Sequence, residues 1–198
     1  KLNMSLKNSS VKIPKLLADK FKNKKIKSIY NNFEKSISIQ NNFIVAVSGG
    51  ADSLALAFLA KIYSIKKNLK AKYFIIDHKI RSESTLEAKS VKKILKTANI
   101  KANVLTWKGK KPVKNIQSIA RKKRYELLFS ECKKLSIKNI LLAHQQDDLF
   151  ENFFIRILRG SGLKGLVSLN KKTKIEDINI LRPLLDVKKK NLLFITKF

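Results

Sequence analysis

Short apolar segments alternate along the chain with longer segments in which apolar positions recur every three or four residues. The short segments contain many β-branched residues and predict five strands, at residues 43–47, 72–77, 102–107, 139–144 and 178–184. The longer segments predict helices at residues 52–67, 82–98 and 115–135. Strands that are apolar throughout are typical of parallel sheets buried on both faces. The pattern therefore predicts an α/β fold, with an open parallel sheet of about five strands and helices on both faces.

The two ends of the chain do not continue this alternation. Residues 1–40 are rich in lysine and asparagine, and their scattered apolar positions permit a helix, so we expect an N-terminal extension there. Residues 191–198 predict the start of a truncated helix, or a linker to C-terminal domains that this chain lacks. The α/β domain itself is then expected between residues 41 and 190.

The charge of the chain indicates a polyanionic partner. Among 198 residues there are 44 lysines and arginines but 14 aspartates and glutamates, which gives a formal net charge of +30. A surface that positive attracts nucleic acid. The alternative is compositional drift, because 38 of the basic residues are lysine and only 6 are arginine. Charge alone therefore names no reaction.

Cysteine content and hydropathy exclude several classes of protein. The single cysteine, Cys132, rules out a disulfide within the chain and any site built on several of its cysteines. No apolar run approaches the roughly 18 residues that a membrane span needs. We expect a cytoplasmic protein without membrane contact, and a homo-oligomer is compatible with the sequence.

Candidate chemistry begins at SGGADS, which joins the first predicted strand to a helix. The stretch comprises Ser48, Gly49, Gly50, Ala51, Asp52 and Ser53. In parallel sheets such a loop binds ligands, and the free N–H groups of the helix can hold a phosphate. The serines add hydroxyl donors, while the glycines let the backbone approach phosphate oxygens. The alternative is a tight turn in which Asp52 or Ser53 only caps the helix. The composition favours a pyrophosphate cradle.

A second polar group follows the fourth predicted strand. Asp147, Asp148 and Glu151 open a helix, and the last two are three residues apart and share one face. Two carboxylates at the end of a strand suit a metal ion or an ammonium group. The alternative is that acids are simply favoured in a first helical turn. His144 and His78, each at the end of a strand, fit either a structural role or a ligand contact.

Three arginines are candidates for binding a ligand. Arg121 and Arg124 share one face of an amphipathic helix, where they either form a solvated basic surface or face a ligand. Arg159 stands beside two glycines, in a turn that either ends the acidic helix or faces a substrate.

SGGADS resembles the SGGxDS signature of the PP-loop ATP pyrophosphatases, and further stretches are similar to segments of tRNA(Ile)-lysidine synthetases. These are IIDHKIRSES (75–84), NIQSIARKKRY (115–125), AHQQDDLFEN (143–152), RGSGLKGL (159–166) and LRPLL (181–185). They occur in the order typical of that family and span about residues 43–190. The resemblance implies a PP-loop fold of the adenine nucleotide alpha-hydrolase type.

The resemblance also implies an activity. It suggests ATP and Mg²⁺ as cofactors, and free L-lysine and an isoleucine tRNA with the anticodon CAU as partners. ATP would adenylate the C2 carbonyl oxygen of cytidine 34 and release pyrophosphate. The ε-amine of lysine would then attack C2 and release AMP.

Residue roles follow from the same resemblance. The expected ATP-binding residues are Ser48, Gly49, Gly50, Ala51, Asp52, Ser53 and His78. The expected catalytic residues are Asp52, Asp148 and Glu151, and Asp52 would also serve the Mg²⁺ ion. The expected substrate-binding residues are Arg121, Arg124, His144, Asp147 and Arg159.

The chain departs from the family pattern at four positions. Lys79 replaces a glycine, Gln145 a histidine, Leu149 a glutamine and Asn152 a threonine. Two alternative functions therefore stay open. One is another tRNA-modifying PP-loop enzyme such as a thiolase, which the single cysteine disfavours. The other is a basic RNA-binding module with an inactive nucleotide site, which the intact SGGADS disfavours.

Overall fold

Six strands form one sheet in the computed structural model, which describes residues 15–109, 112–151 and 170–197. The strands are β1 (Phe43–Val47), β2 (Ala71–Asp77), β3 (Ala102–Thr106), β4 (Asn139–Leu141), β5 (Lys172–Ile175) and β6 (Ile178–Leu181). The helices are α1 (Lys15–Phe21), α2 (Lys24–Ser36), α3 (Ala51–Lys66), α4 (Ser84–Thr97), α5 (Ile116–Leu135), α6 (described over 146–151) and α7 (Lys189–Lys197). The predicted α/β fold is confirmed.

The strand order is β3-β2-β1-β4-β6-β5, and every pair is parallel except β5 with β6. The sheet thus has one strand more than predicted. The lysine-rich segment before β6, which is not among the predicted strands, forms the edge strand β5. β5 and β6 form a hairpin, and a two-residue turn joins them. The first residue of this turn, Glu176, has a positive φ of 51°, as such turns require.

Two hydrophobic clusters cover the two faces of the sheet. Alternate residues of β1 belong to opposite clusters: Phe43 and Val45 to one, Ile44 and Ala46 to the other. The first cluster includes buried residues of α2, α3, α4 and α7, whereas the second is covered by α5 through Leu128 and Cys132. Helices therefore lie on both faces, as the apolar strands predicted.

The two N-terminal helices contribute to the larger cluster. Four residues of α2 are buried, namely Ile26, Ile29, Tyr30 and Phe33. The hydroxyl of Tyr63 in α3 exchanges hydrogen bonds with the backbone of Ile39, at 3.3 and 3.1 Å, and so fixes the chain after α2. The helical part of the predicted extension is thus packed on the core. The domain boundary at residue 40 stays a prediction.

Helix α3 is apolar on nearly all sides because it is covered on nearly all sides. It packs against the sheet on one side and against α2 and α7 on the other. Its long apolar run is therefore a core helix. Within the described part of the chain, no helix is long and apolar enough to cross a membrane.

The strand order places a switch point beside β1. The chain proceeds from β1 to β2 and β3 on one side, and through β4 to β6 on the other. The connections that leave β1 and β4 therefore diverge and open a crevice at the carboxyl edge of the sheet. SGGADS and the acidic stretch both lie at this crevice.

Candidate functional site

A cavity of about 800 Å³ lies at the switch point. The segments that follow β1, β2 and β4 form its floor, and α4 and α5 contribute walls. Among the predicted site residues, those lining it are Ser48, Gly50, Asp52, Ser53, His78, Arg121, Arg124, His144 and Asp148. Residues from four separate stretches of sequence thus meet around one space.

The glycine loop is held by its own serine. The hydroxyl oxygen of Ser53, a buried residue, accepts hydrogen bonds from the backbone N–H groups of Ser48 and Gly49 at 3.1 and 3.0 Å. The same hydroxyl donates to the carbonyl of Gly50 at 2.9 Å. The N-cap of α3 is Gly50, without a side-chain cap bond. Neither Asp52 nor Ser53 therefore acts as the simple helix cap that was the alternative interpretation.

The two glycines meet different constraints. Gly49 has a φ of +93°, and a Cβ there would lie 2.5 Å from Cγ2 of Val91 in α4. At Gly50 a Cβ would meet no atom within 4 Å, because this residue faces open space. Gly49 is thus required by the fold. Gly50 leaves room above the loop, as a phosphate cradle needs.

Asp52 is the most unusual carboxylate of the site. It lies in the first turn of α3, and its Oδ1 is buried without a hydrogen-bond partner among the described residues. Burial raises the pKa of Asp52; the nearby Asp148 and Asp147 raise it further, while Lys189 opposes the rise. Carboxylates from α3 and α6 therefore share one electrostatic environment.

The start of α6 is stabilised by reciprocal capping. The backbone N–H of Gln145 donates to Oδ2 of Asp148 at 2.7 Å, and Oε1 of Gln145 accepts from the N–H of Asp147 at 3.0 Å. Such an exchange satisfies backbone donors that a helix start would leave free. Gln145, buried at the position where the resembled family has histidine, thus serves as a helix cap.

The remaining acids lie outside the cavity wall. Asp147 and Glu151 are exposed and do not line the cavity, although Asp147 influences Asp52 electrostatically. Gly49 and Ala51 do not line it either. Arg159 and Asn152 lie outside the described residues. The catalytic role predicted for Glu151 therefore stays a prediction.

The wall formed by α5 is basic. Arg121 and Arg124 line the cavity, and the guanidinium of Arg121 lies 5.6 Å from the ring centroid of Tyr125. Burial lowers the pKa of Arg124, and the neighbouring Arg121 lowers it further. Two cations thus line the cavity that Asp52 and Asp148 also line. This arrangement supports anion binding.

The pKa values of both histidines are lowered, which favours the neutral imidazole. Burial lowers the pKa of His144 to about 4, and the nearby Arg182 acts in the same direction. Burial and Arg124 lower the pKa of His78. In each ring Nδ1 is buried without a hydrogen-bond partner among the described residues. A neutral imidazole suits contact with an uncharged base more than with a phosphate.

Asp77, beside His78, has a structural role. Its carboxylate accepts from the N–H of Lys79 at 3.0 Å and from the hydroxyl of Thr85 at 2.8 Å, and the residue is buried. Lys79 has a φ of +49°. The family's glycine at this position is thus explained by backbone conformation.

Several residues at or beside the site were not singled out from the sequence. Arg81 and Glu87 line the cavity and form an ion pair at 3.1 Å. Arg182, whose charge helps to lower the pKa of His144, is buried, and its Nη1 donates a hydrogen bond to the hydroxyl of Thr173 at 2.8 Å. The charge of Lys189 partly offsets the raised pKa of Asp52. Arg81 and Arg182 lie within IIDHKIRSES and LRPLL, two of the stretches that resemble the family, so the motifs could have indicated them. Glu87 and Lys189 lie outside these stretches.

The residues present fit a nucleoside triphosphate with Mg²⁺. The open space at Gly50 fits a phosphate chain, and Oδ1 of Asp52 is an oxygen donor without a partner. Over residues 15–109, 112–151 and 170–197, no group of three or more His, Cys, Asp or Glu side chains is arranged to hold a metal ion. Protein sites commonly bind magnesium through one or two carboxylates together with substrate phosphates, and Asp52 would supply one such carboxylate.

Comparisons with known proteins agree with this geometry. The family model of the PP-loop domain matches residues 18–198. The tRNA(Ile)-lysidine synthase of Orientia tsutsugamushi (strain Boryong) is 43% identical over 148 residues, which cover 75% of this chain and 33% of that protein. The tRNA(Ile)-lysidine synthase of Rhodopseudomonas palustris is 37% identical over 152 residues, covering 76% and 44%. The chain thus spans less than half the length of these curated relatives.

A solved structure supports the fold alone. The U34-tRNA thiolase NcsA from Methanococcus maripaludis, with its 4Fe–4S cluster, superposes with a TM-score of 0.75 at 19% sequence identity. The match covers 87% of this chain and 63% of that one.

Proposed function

Because the chain belongs to the family of ATP-utilising PP-loop domains, we propose that it is the ATP-binding catalytic part of a tRNA(Ile)-lysidine synthase. In this proposal it joins free lysine to C2 of cytidine 34 in an isoleucine tRNA with the anticodon CAU. The observation that carries the proposal is the meeting of the glycine loop, the unpartnered Asp52 and a basic wall around one cavity.

The glycine loop is proposed to hold the pyrophosphate part of ATP. The N–H groups of Ser48 and Gly49 now donate to Ser53, and phosphate oxygens are stronger acceptors that can replace this hydroxyl. The positive end of the α3 dipole also favours the negative charge of a phosphate. The C2 oxygen of cytidine attacks the α-phosphorus, and the bond from this phosphorus to pyrophosphate breaks.

The acidic residues are proposed to receive lysine. A carboxylate pair attracts the ammonium group, but the attacking ε-amine must be neutral when its bond to C2 forms. Asp52 is a better proton acceptor than an ordinary carboxylate because burial and nearby acids raise its pKa. The new C2–N bond replaces the bond to the adenylate oxygen, and AMP leaves.

Asp52, through its Oδ1, is alternatively the residue that fits Mg²⁺, and in that role it would not serve as the proton acceptor, because a coordinated cation lowers the pKa of a carboxylate. When bound, the ion neutralises charge on the phosphates of ATP. Arg121 and Arg124 line the same cavity and are proposed to contact phosphates of ATP or tRNA. The net charge of +30 supports an RNA partner.

The test is transfer of labelled lysine to a tRNA transcript with the anticodon CAU, in the presence of ATP and Mg²⁺. A transcript with uridine at position 34 is the matched control. We expect incorporation that requires both ATP and cytidine 34, and its loss in Asp52→Ala. Equal incorporation into the control transcript, or full activity of the variant, would refute the assignment.

A thiolase reaction is not proposed. The one cysteine of the chain, Cys132, lies on α5 and is buried in the smaller hydrophobic cluster, and burial raises the pKa of its thiol to about 11. Such a thiol is unreactive at neutral pH.

A further inference from the structure

The loop between β2 and α4 is fixed at both of its ends beside the cavity. Its start is held by Asp77, whose carboxylate accepts from the N–H of Lys79 at 3.0 Å and from the hydroxyl of Thr85 at 2.8 Å. Its end is held by Ser84, whose hydroxyl accepts from the N–H of Arg81 at 3.2 Å and whose own N–H donates to the carbonyl of Arg81 at 3.2 Å. Arg81 therefore extends from a backbone of fixed geometry, and it lines the cavity.

The side chain of Arg81 is held by an acid in the first turns of α4. Its Nη2 lies 3.1 Å from Oε2 and 3.3 Å from Oε1 of Glu87, which also lines the cavity. Among the described residues, Nη1 and Nε of Arg81 have no hydrogen-bond acceptor. The guanidinium is therefore oriented through one nitrogen, while its other donors can bind a ligand in the cavity.

Glu87 stands on the face of α4 that meets the glycine loop. Val91, four residues later, is the side chain whose Cγ2 would lie 2.5 Å from a Cβ on Gly49. Helical residues four apart share one face and are separated by about 6 Å along the helix axis. Ala88 lies between them and also lines the cavity. The ion pair of Arg81 and Glu87 is thus on the wall that contacts the glycine loop, about one helical turn from that contact.

Stability of the fold does not account for this ion pair. The side chains of Arg81 and Glu87 are 70% and 54% exposed, and exposed ion pairs contribute little to stability. An unpaired acid on this wall would repel the phosphates that the glycine loop attracts, and Arg81 neutralises it. A guanidinium also binds phosphate oxygens well, because its planar fork presents several donors. A ligand with phosphate groups would use the donors that the ion pair leaves free.

Resting on the function proposed above, we propose that Arg81 binds the phosphates of ATP above the glycine loop, and that Glu87 positions its guanidinium for this contact. The fixed backbone and the ion pair place the guanidinium before the nucleotide arrives, which reduces the entropy lost on binding. The contact is directed at the phosphates, so it contributes to the affinity for ATP and not to the affinity for adenosine.

Nucleotide binding by the 198-residue chain tests the proposal, measured by calorimetry with ATP and Mg²⁺ and, separately, with adenosine. For Arg81→Ala we expect a roughly tenfold loss of ATP affinity, typical of a lost charged contact, with adenosine affinity changed less than about twofold. Arg81→Lys keeps the charge but lacks the planar fork, so it should recover only part of the ATP affinity.

The matched control is the double variant Arg81→Ala/Glu87→Gln. In Arg81→Ala alone the carboxylate of Glu87 is left unpaired, and its repulsion would lower ATP affinity without any lost contact. The double variant removes both charges and leaves the net charge unchanged, and it should still bind ATP at least about fivefold more weakly than the unsubstituted chain. Recovery to within about twofold would overturn the proposal, because the loss would then come from repulsion.

A second control lies on the same helix. Lys92 is exposed on α4 and does not line the cavity. Lys92→Ala also removes one positive charge, and it should keep ATP affinity within about twofold because solvent screens so distant a charge. All variants should melt at matching temperatures. ATP binding by Arg81→Ala as tight as by Lys92→Ala would refute the contact, and so would an equal loss of affinity for ATP and adenosine, which indicates a structural role.

The same measurements distinguish this inference from the proposed function. A chain that shows the ATP-specific loss in Arg81→Ala but transfers no lysine to tRNA would retain the contact of Arg81 and refute the lysine transfer. A chain that binds no ATP would overturn both.

Discussion

Replacing Gly49 with alanine tests whether the glycine loop is held by the fold as the structure indicates. Gly49 has a φ of +93°, and an added Cβ would lie 2.5 Å from Cγ2 of Val91. Val91 is 7% exposed and belongs to the larger hydrophobic cluster, so it has little room to move. The variant therefore meets both a backbone strain and a steric overlap.

The two effects have separate magnitudes. An L-residue held at a sparsely populated positive φ costs about 1–3 kcal/mol. Overpacking a buried side chain by one methyl group costs about another 1–3 kcal/mol. We expect Gly49→Ala to lower the free energy of unfolding by about 2–6 kcal/mol, a large part of the about 5–15 kcal/mol typical of a domain.

Urea unfolding followed by circular dichroism measures this loss. The matched control is Gly50→Ala, because Gly50 has a φ of −66° and open space where its Cβ would lie. That control should change stability by less than about 1 kcal/mol. Combining Gly49→Ala with Val91→Ala should recover the overlap part, seen as a favourable coupling energy of about 1–3 kcal/mol, while the strain remains.

Two outcomes would refute the reasoning. If Gly49→Ala were as stable as Gly50→Ala, the loop would not have the constrained backbone described here. If the double variant showed no coupling, the close approach to Val91 would be wrong.

Three further substitutions test other parts of the structure. Ser136 ends α5 with a φ of +53°, so Ser136→Gly should raise the urea midpoint by an amount equivalent to about 0.5 kcal/mol; an unchanged or lower midpoint would contradict this. Asp77→Ala leaves the N–H of Lys79 and the hydroxyl of Thr85 without their acceptor, so it should lower the free energy of unfolding by about 2–3 kcal/mol. Unchanged stability in urea would show that these hydrogen bonds contribute little. The pKa of His144 is about 4 in the folded chain and about 6.5 in the unfolded chain, so below pH 6.5 the unfolded chain binds a proton that the folded chain does not. The urea midpoint should therefore fall as the pH is lowered from 7 to 5, and it should fall less steeply in His144→Gln. Identical slopes for the two chains would contradict the lowered pKa.

Burial explains which strands could be predicted from the sequence. β1 and β2 are covered by helices on both faces, so nearly every residue is apolar and the segment is visible as a run. β5 is an edge strand that pairs with β6 alone, and three of its four residues are exposed. Exposed lysines are therefore as compatible with this edge strand as they are with a loop. Composition cannot separate these two states, which is why β5 was missed.

The edge of the sheet that carries the candidate residues was predictable, but the bonds among them were not. Ligand sites at the carboxyl ends of parallel strands follow from topology, and the sequence placed both SGGADS and Asp148 at strand ends. The bonds from Ser48 and Gly49 to Ser53, by contrast, depend on how sharply the backbone turns after β1.

The charged residues that line the cavity attract the two substrates of the proposed reaction to different groups. A chain with a net charge of +30 attracts both ATP and tRNA almost anywhere on its surface, and also repels free lysine. Asp52 and Asp148 place negative charge in the cavity that Arg121 and Arg124 also line. Burial raises the pKa of Asp52, the nearby Asp148 raises it further, and a bound cation would relieve both effects. A cationic amine and anionic phosphates are thus drawn to different charged groups within one cavity, where the amine adds to C2 from one face of the cytosine ring and AMP then leaves.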